Sequence, residues 1–161
     1  MHGVIQTGTS TIYKIVWEAS KKELKNTYLI RLRYYEKDTT ATHQASYYGS
    51  WIQVGDEIIG DYSSTAQTIT INQNEDRLFF SGSIEIEASS IEENTFLFNA
   101  GYYRYDGVRR GRVYDYVTLP PIGNTKIKKN SVWKTVLAWI KKNGLWKRCI
   151  VWKKINGVWK K

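Results

Sequence analysis

The chain has 161 residues, 14% of them aromatic with 12 Tyr and 7 Trp, a single Cys and 2 His, and a formal net charge of +9. That length suits one domain, or a domain of about 120 residues with an appendage, and the lone Cys149 excludes an internal disulfide framework. No stretch reaches the roughly 18 to 20 apolar residues of a membrane span, and Met1 to Ser10 lack the basic and apolar segments of a signal peptide, so neither a span nor a leader is expected.

Residues 1–10 read as an N-terminal arm. Residues 11–19 then alternate, with Tyr13, Ile15, Trp17 and Ala19 on one side and Ile12, Lys14, Val16 and Glu18 on the other, as a strand with one buried face does. Residues 27–37 repeat the pattern with Tyr28, Ile30, Leu32 and Tyr34 against Leu29, Arg31, Arg33 and Tyr35. Further strands are expected at 47–54, 66–73, 78–88, 95–105 and 112–119, each bounded by Gly, Asn, Asp or Ser clusters such as Gly55-Asp56 and Asp106-Gly107. Tyr and β-branched residues favour pleated, half-buried strands, so the class is all-β. Strands at this spacing over 11–122 predict an immunoglobulin-like antiparallel β-sandwich. Pro120-Pro121 closes it, since Pro cannot donate to a continuing ladder.

Residues 123–161 form a separate, basic, Trp-rich appendage. From 121 onward there are 12 Lys or Arg and no acid, whereas residues 1–120 hold 12 basic and 15 acidic side chains, so the positive charge belongs to the tail. Five of the 7 Trp are there, and Trp133, Trp146 and Trp159 recur at a spacing of 13, as do Trp139 and Trp152. Asn143-Gly144 and Asn156-Gly157 are strong signals for two-residue type I′ turns, with Asn130-Ser131 a weaker third. The eleven residues between turns carry apolar midpoints, which predicts long continuous strands in a C-terminal antiparallel β-meander. Two-residue turns then set Lys142 against Leu145, Lys141 against Trp146, Trp139 against Arg148, Lys154 against Trp159 and Trp152 against Lys161. All five Trp fall on one face laced with Lys141, Arg148 and Lys154, each cation–π contact contributing about 0.5 to 1 kcal/mol. Trp133, Trp139, Lys141, Trp146, Arg148, Trp152, Lys154 and Trp159 are therefore the expected partner interface.

Catalytic chemistry finds little support. His2 and His43 are distant in sequence and suggest neither a catalytic pair nor a zinc site. Asp56, Glu57 and Asp61 surround a turn without the full pattern of a Ca²⁺ loop. Glu85 and Glu87 share a strand face, whereas glycosidase carboxylates come from different elements across a cleft, so a solvated face explains them. No phosphate-binding Gly-rich loop or Cys cluster is present. The expectation is no catalytic residues, no metal, no cofactor and no enzyme. A surface-binding loop set remains at Tyr47, Tyr48, Tyr102, Tyr103, Arg109, Arg110 and Arg112, which join aromatic area to cations able to meet carboxylate or phosphate.

Tail segments of the form Trp-x-Lys-x-Asn-Gly-x-Trp-Lys resemble the C-terminal repeats of minor structural and tail-fibre proteins of tailed bacteriophages. The upstream pattern is similar to the β-sandwich domains of siphophage tail-tip and minor tail proteins. It runs from Tyr13-x-Ile15-x-Trp17 through Trp51-Ile52-x-Val54-Gly55-Asp56 and Leu78 to Glu87 to Tyr116-Val117-Thr118-Leu119-Pro120-Pro121-Ile122. The resemblance covers roughly residues 11–160 and carries no catalytic residues. It implies a non-enzymatic component of the phage virion, assembled in the bacterial host cytoplasm, that docks through its Trp/Lys repeats and contacts the host surface. The partners it implies are other virion proteins and further copies of the chain, with bacterial cell-surface polymer after them and nucleic acid ranked lower. A second reading makes the tail an adhesive module that binds cell-wall polymer or nucleic acid through stacking and charge.

Overall fold

The computed structural model describes residues 1–22, 24–89, 93–123, 125–136, 138–149, 151, 153–155 and 158–160. Among them there are strands and turns and no helix. Strands β1 (His2–Thr7), β2 (Thr11–Lys22), β3 (Thr27–Asp38) and β8 (Arg77–Glu87) form one sheet in the order β1-β2-β3-β8. Strands β5 (Ser50–Val54), β6 (Glu57–Gly60), β9 (Asn94–Tyr103) and β10 (Arg109–Leu119) form a second in the order β10-β9-β5-β6. Strands β4 (His43–Tyr47) and β7 (Gln67–Ile71) pair antiparallel with each other.

The alternation read from β2 and β3 is the one the core uses. Ile15 and Ala19 of β2 are buried, and Tyr28, Ile30, Leu32 and Tyr34 of β3 are all fully enclosed. Ile52 and Val54 of β5 and Phe98 and Ala100 of β9 are buried too, with Ile52 opposite Ala100 and Val54 opposite Phe98. The two sheets face each other. Trp17 of β2 meets Phe98 of β9 edge to face, ring centroids 5.4 Å apart. Gly82 of β8 lies so close to the ends of Ile52 and Ile59 that a Cβ there would overlap the Ile59 side chain. This is a β-sandwich in the sense that two antiparallel sheets bury their apolar faces against each other.

Three features of the sandwich region differ from the reading of the sequence. His2–Thr7, within the stretch read as an arm, is strand β1. Its pairing with β2 runs from His2 opposite Glu18 to Thr7 opposite Tyr13, and the amino terminus donates to the Ala19 carbonyl at 3.0 Å. The run 47–54 is two pieces, β4 and β5, separated at Gly49, whose φ of 99° favours glycine. The short strand β6 follows the Gly55-Asp56 turn and was not anticipated.

The tail strands are β11 (Thr125–Lys129), β12 (Val132–Val136), β13 (Ala138–Lys142), β14 (Leu145–Cys149), β15 (Lys153–Ile155) and β16 (Val158–Lys160). Among the described residues they pair as three two-stranded sheets, β11-β12, β13-β14 and β15-β16, where one continuous meander was expected. A two-residue turn fixes the pairs nearest to it.

The chain divides into two compact units. One comprises Met1–Ser20, Leu29–Ile86 and Phe96–Val117, and the other Lys21–Tyr28, Glu87–Thr95 and Thr118–Lys161. Within the second unit, the Tyr28 hydroxyl donates to the Pro120 carbonyl, the Ile122 amide donates to Ser89 O at 3.3 Å, and Leu119 and Ile122 are fully buried. Burial pushes the Tyr28 phenol up to about 12, so it stays a neutral donor.

Candidate functional site

The tail is built from local turn chemistry. Asn143 and Gly144 have φ of 53° and 78°, the two positive values of a type I′ turn, and the strands beside it pair in five steps from Lys142 opposite Leu145 to Ala138 opposite Cys149. Within that register Trp139 faces Arg148 and Lys141 faces Trp146, as the turn arithmetic predicts. Both pairs occupy positions that exchange no hydrogen bonds with one another, where opposing side chains approach most closely. Period-two alternation puts Trp139, Lys141, Trp146 and Arg148 on one face. Trp139 and Trp146 are 52% and 66% exposed, and on the opposite face Ile140 and Leu145 are open to solvent as well. A hairpin with apolar groups exposed on both faces has the composition of a contact surface and too little buried area to be stable alone.

The other two hairpins share the register. Lys128 lies opposite Trp133 and Lys154 opposite Trp159. Asn130 and Ser131 have φ of 52° and 65°, so the weaker turn signal adopts the same geometry as Asn143-Gly144. Trp152, Lys161 and the Asn156-Gly157 turn lie outside the described residues, as do the side chains of Trp133 and Trp159.

The loop set is rearranged relative to its sequence grouping. Tyr48 and Tyr103 come together through backbone bonds, Tyr103 N to Gly49 O at 2.9 Å and Tyr48 N to Tyr103 O at 3.3 Å. Between them sits Tyr62, stacked on Tyr48 at 6.4 Å and edge-on to Tyr103 at 5.9 Å, with its hydroxyl on the Tyr105 carbonyl at 2.7 Å. Tyr47 and Tyr102 instead line a shallow cavity of about 140 Å³ with Glu36, Ala45, Ser46 and Phe79. Arg109 covers the ring of Trp51 at 5.7 Å and so has a packing role, while Arg110 is exposed. The side chain of Arg112 lies outside the described residues.

Tyr62 was missed because it stands alone among polar residues, whereas Tyr105 falls within the Tyr102 to Arg112 stretch. Tyr114 and Tyr116, both exposed on β10, were legible in principle, since alternation about the buried Val113 places them outward.

Among the described residues, the titratable groups named from the sequence lie apart. Asp38 accepts from Thr40 Oγ1 at 2.6 Å, Thr40 N at 2.7 Å and Ala41 N at 3.0 Å, and His43 Nδ1 is 3.4 Å from its other oxygen. The Thr40 hydroxyl first, then the two amides, hold the carboxyl at about 2, below its ordinary 3.8. This is the geometry of a turn that ends β3. His2 sits across from Glu18 in the β1-β2 ladder. Glu85 and Glu87 are both exposed on β8. Among the described residues no group of His, Cys, Asp and Glu is arranged to hold a metal ion, and no helix is long and apolar enough to cross a membrane. No protein-family model, curated protein or solved structure matches the chain, so the exposed Trp/Lys hairpins and the tyrosine loops are the features from which a function is argued.

Proposed function

We propose that the protein is a non-enzymatic structural component of a tailed-phage virion, at the tail tip, a fibre or the virion surface, that docks onto neighbouring subunits through its Trp/Lys hairpins. The observation that carries this reading is hairpin β13-β14, which offers Trp139 and Trp146 to solvent beside Lys141 and Arg148. A folded strand pair keeps such a face when another surface covers it. The sandwich serves as the carrier, and its sheet order β10-β9-β5-β6 supports an immunoglobulin-like arrangement. Its tyrosine loops face the host surface.

A second reading, an adhesive module gripping a polyanion, is favoured by the absence of any acid from residue 121 onward. Co-sedimentation separates the two. The full chain and a version ending at Ile122 are each incubated with phage particles lacking the protein and with Gram-positive cell walls, at roughly 50 and 500 mM salt. Docking predicts that only the full chain enters the particle fraction and stays there at high salt. Wall binding that requires the tail and is lost in high salt favours the adhesive module instead, since counterion release makes polyanion binding steeply salt-dependent.

A further inference from the structure

The thirteen-residue period has a structural unit. Thr125 to Val136 is one hairpin, with Thr125 opposite Val136, and Ala138 to Cys149 is the next, with Ala138 opposite Cys149. Each has five pairs and a two-residue turn, and one position, 137 or 150, stands between it and the next. The register is conserved from copy to copy. Lys128 opposite Trp133, Lys141 opposite Trp146 and Lys154 opposite Trp159 hold the same place relative to the turn. Among the described residues, each tail sheet is a single hairpin whose two strands pair with one another.

We infer that each thirteen-residue repeat is a complete and interchangeable docking unit for an acidic protein surface, so that the number of repeats sets the strength of attachment. This rests on the reading of the tail as the docking element. Charge selects the partner. With 12 cations and no acid after residue 120, one tail repels another and an anionic surface complements it. The aliphatic groups select protein over nucleic acid. Ile140, Leu145, Val151 and Val158 are exposed together with the indoles. A single strand of nucleic acid would stack on the indoles of one face and leave the aliphatics of the opposite face in water, whereas a cleft in a protein surface buries both faces of a hairpin. Two five-pair hairpins and a third in the same register on one chain bind with effective concentration, so each added unit multiplies affinity without any new kind of contact.

The test uses the full chain, a variant with residues 138–150 deleted, and a variant with that segment duplicated. Both changes preserve the turn and pairs of every remaining hairpin, because Val151 occupies in its repeat the position of Ala138. Binding to an immobilised random copolymer of glutamate and leucine, and to oligo(dT) of matched charge, is measured at low salt, with near-ultraviolet dichroism reporting the fold of each variant. The expected result is a graded series on the acidic copolymer, weakening about tenfold on deletion and strengthening about tenfold on duplication, with weaker binding to oligo(dT). A deletion as damaging as removal of the whole tail would overturn the inference by making the tail one composite site. So would a duplication without effect, or a preference for oligo(dT). Should the deletion variant fold poorly, the duplication still decides. Because docking on particles is scored separately, a flat series beside retained particle binding would defeat repeat equivalence and leave the docking reading standing.

Discussion

Single residues show where this chain spends its backbone and its charge. Asp38 is held near pKa 2 by Thr40 and Ala41, against 3.8 when free, so the folded state favours the carboxylate. Its contribution is present above about pH 4 and disappears as pH falls through 2. Acid titration of stability by circular dichroism should therefore show a steeper loss between pH 4 and 2 in the native chain than in Asp38→Asn. Parallel curves would mean that the Thr40 bonds are not maintained in solution. Gly60, at the end of β6, has φ of 136°, and a Cβ there would meet the Ser50 carbonyl and the Trp51 backbone, neither of which can move without breaking the β5-β6 ladder. Gly60→Ala should cost about 2 to 4 kcal/mol from positive φ and overlap together, read as a lower urea midpoint at unchanged slope.

At the scale of elements, the sequence could be read where burial imposes a period and not where backbone pairing alone holds a strand. β3 was legible because Tyr28, Ile30, Leu32 and Tyr34 all point into the core. β1 was not, because its Val4 is exposed and its place is secured by the ladder to β2. In the tail the opposite holds: Asn-Gly chemistry gave the pairs of β13 and β14 correctly, but nothing in Val136-Leu137-Ala138 marks the change of partner between β12 and β13. The facing pairs Trp139–Arg148 and Lys141–Trp146 followed from that arithmetic, while the Tyr62 contact with Tyr105 required loops that meet only in three dimensions. Turn geometry is also where the hairpins are most easily perturbed. Ser131, at φ 65°, fills a place that glycine takes in the other repeats, and Ser131→Gly should stabilise β11-β12 by about 1 kcal/mol. Slower amide exchange at Lys129 and Val132 would register the gain; replacing Asn143-Gly144 by Ala-Ala should do the reverse for Lys142 and Leu145.

For the molecule as a whole, the critical boundary lies just after the last sandwich strand. Leu119 and Ile122 are fully buried, and Pro120 O accepts the Tyr28 hydroxyl. A chain ending at Ile122 keeps all of these and should melt within a few degrees of the full chain. One ending at Thr118 loses two buried aliphatic side chains, at about 1.5 to 3 kcal/mol each, and should unfold at a markedly lower temperature. Equal melting of the two truncations would show that the segment after β10 is dispensable. Coincidence of the full chain with the Ile122 version would assign the cooperative transition to the sandwich rather than to the tail.

That same closure sets an order of events during synthesis. The packing around Tyr28 cannot finish until Ile122 has left the ribosome, and at least 39 further residues follow it in this chain. At translation rates of roughly 5 to 20 residues per second, they take about 2 to 8 s to make, during much of which the exit tunnel still shields the youngest segment. The globular part therefore has time to bury Tyr28, Leu119 and Ile122 before the indoles of the tail emerge. Trp133 and the indoles after it thus follow, in order of synthesis, the segment that closes over Tyr28.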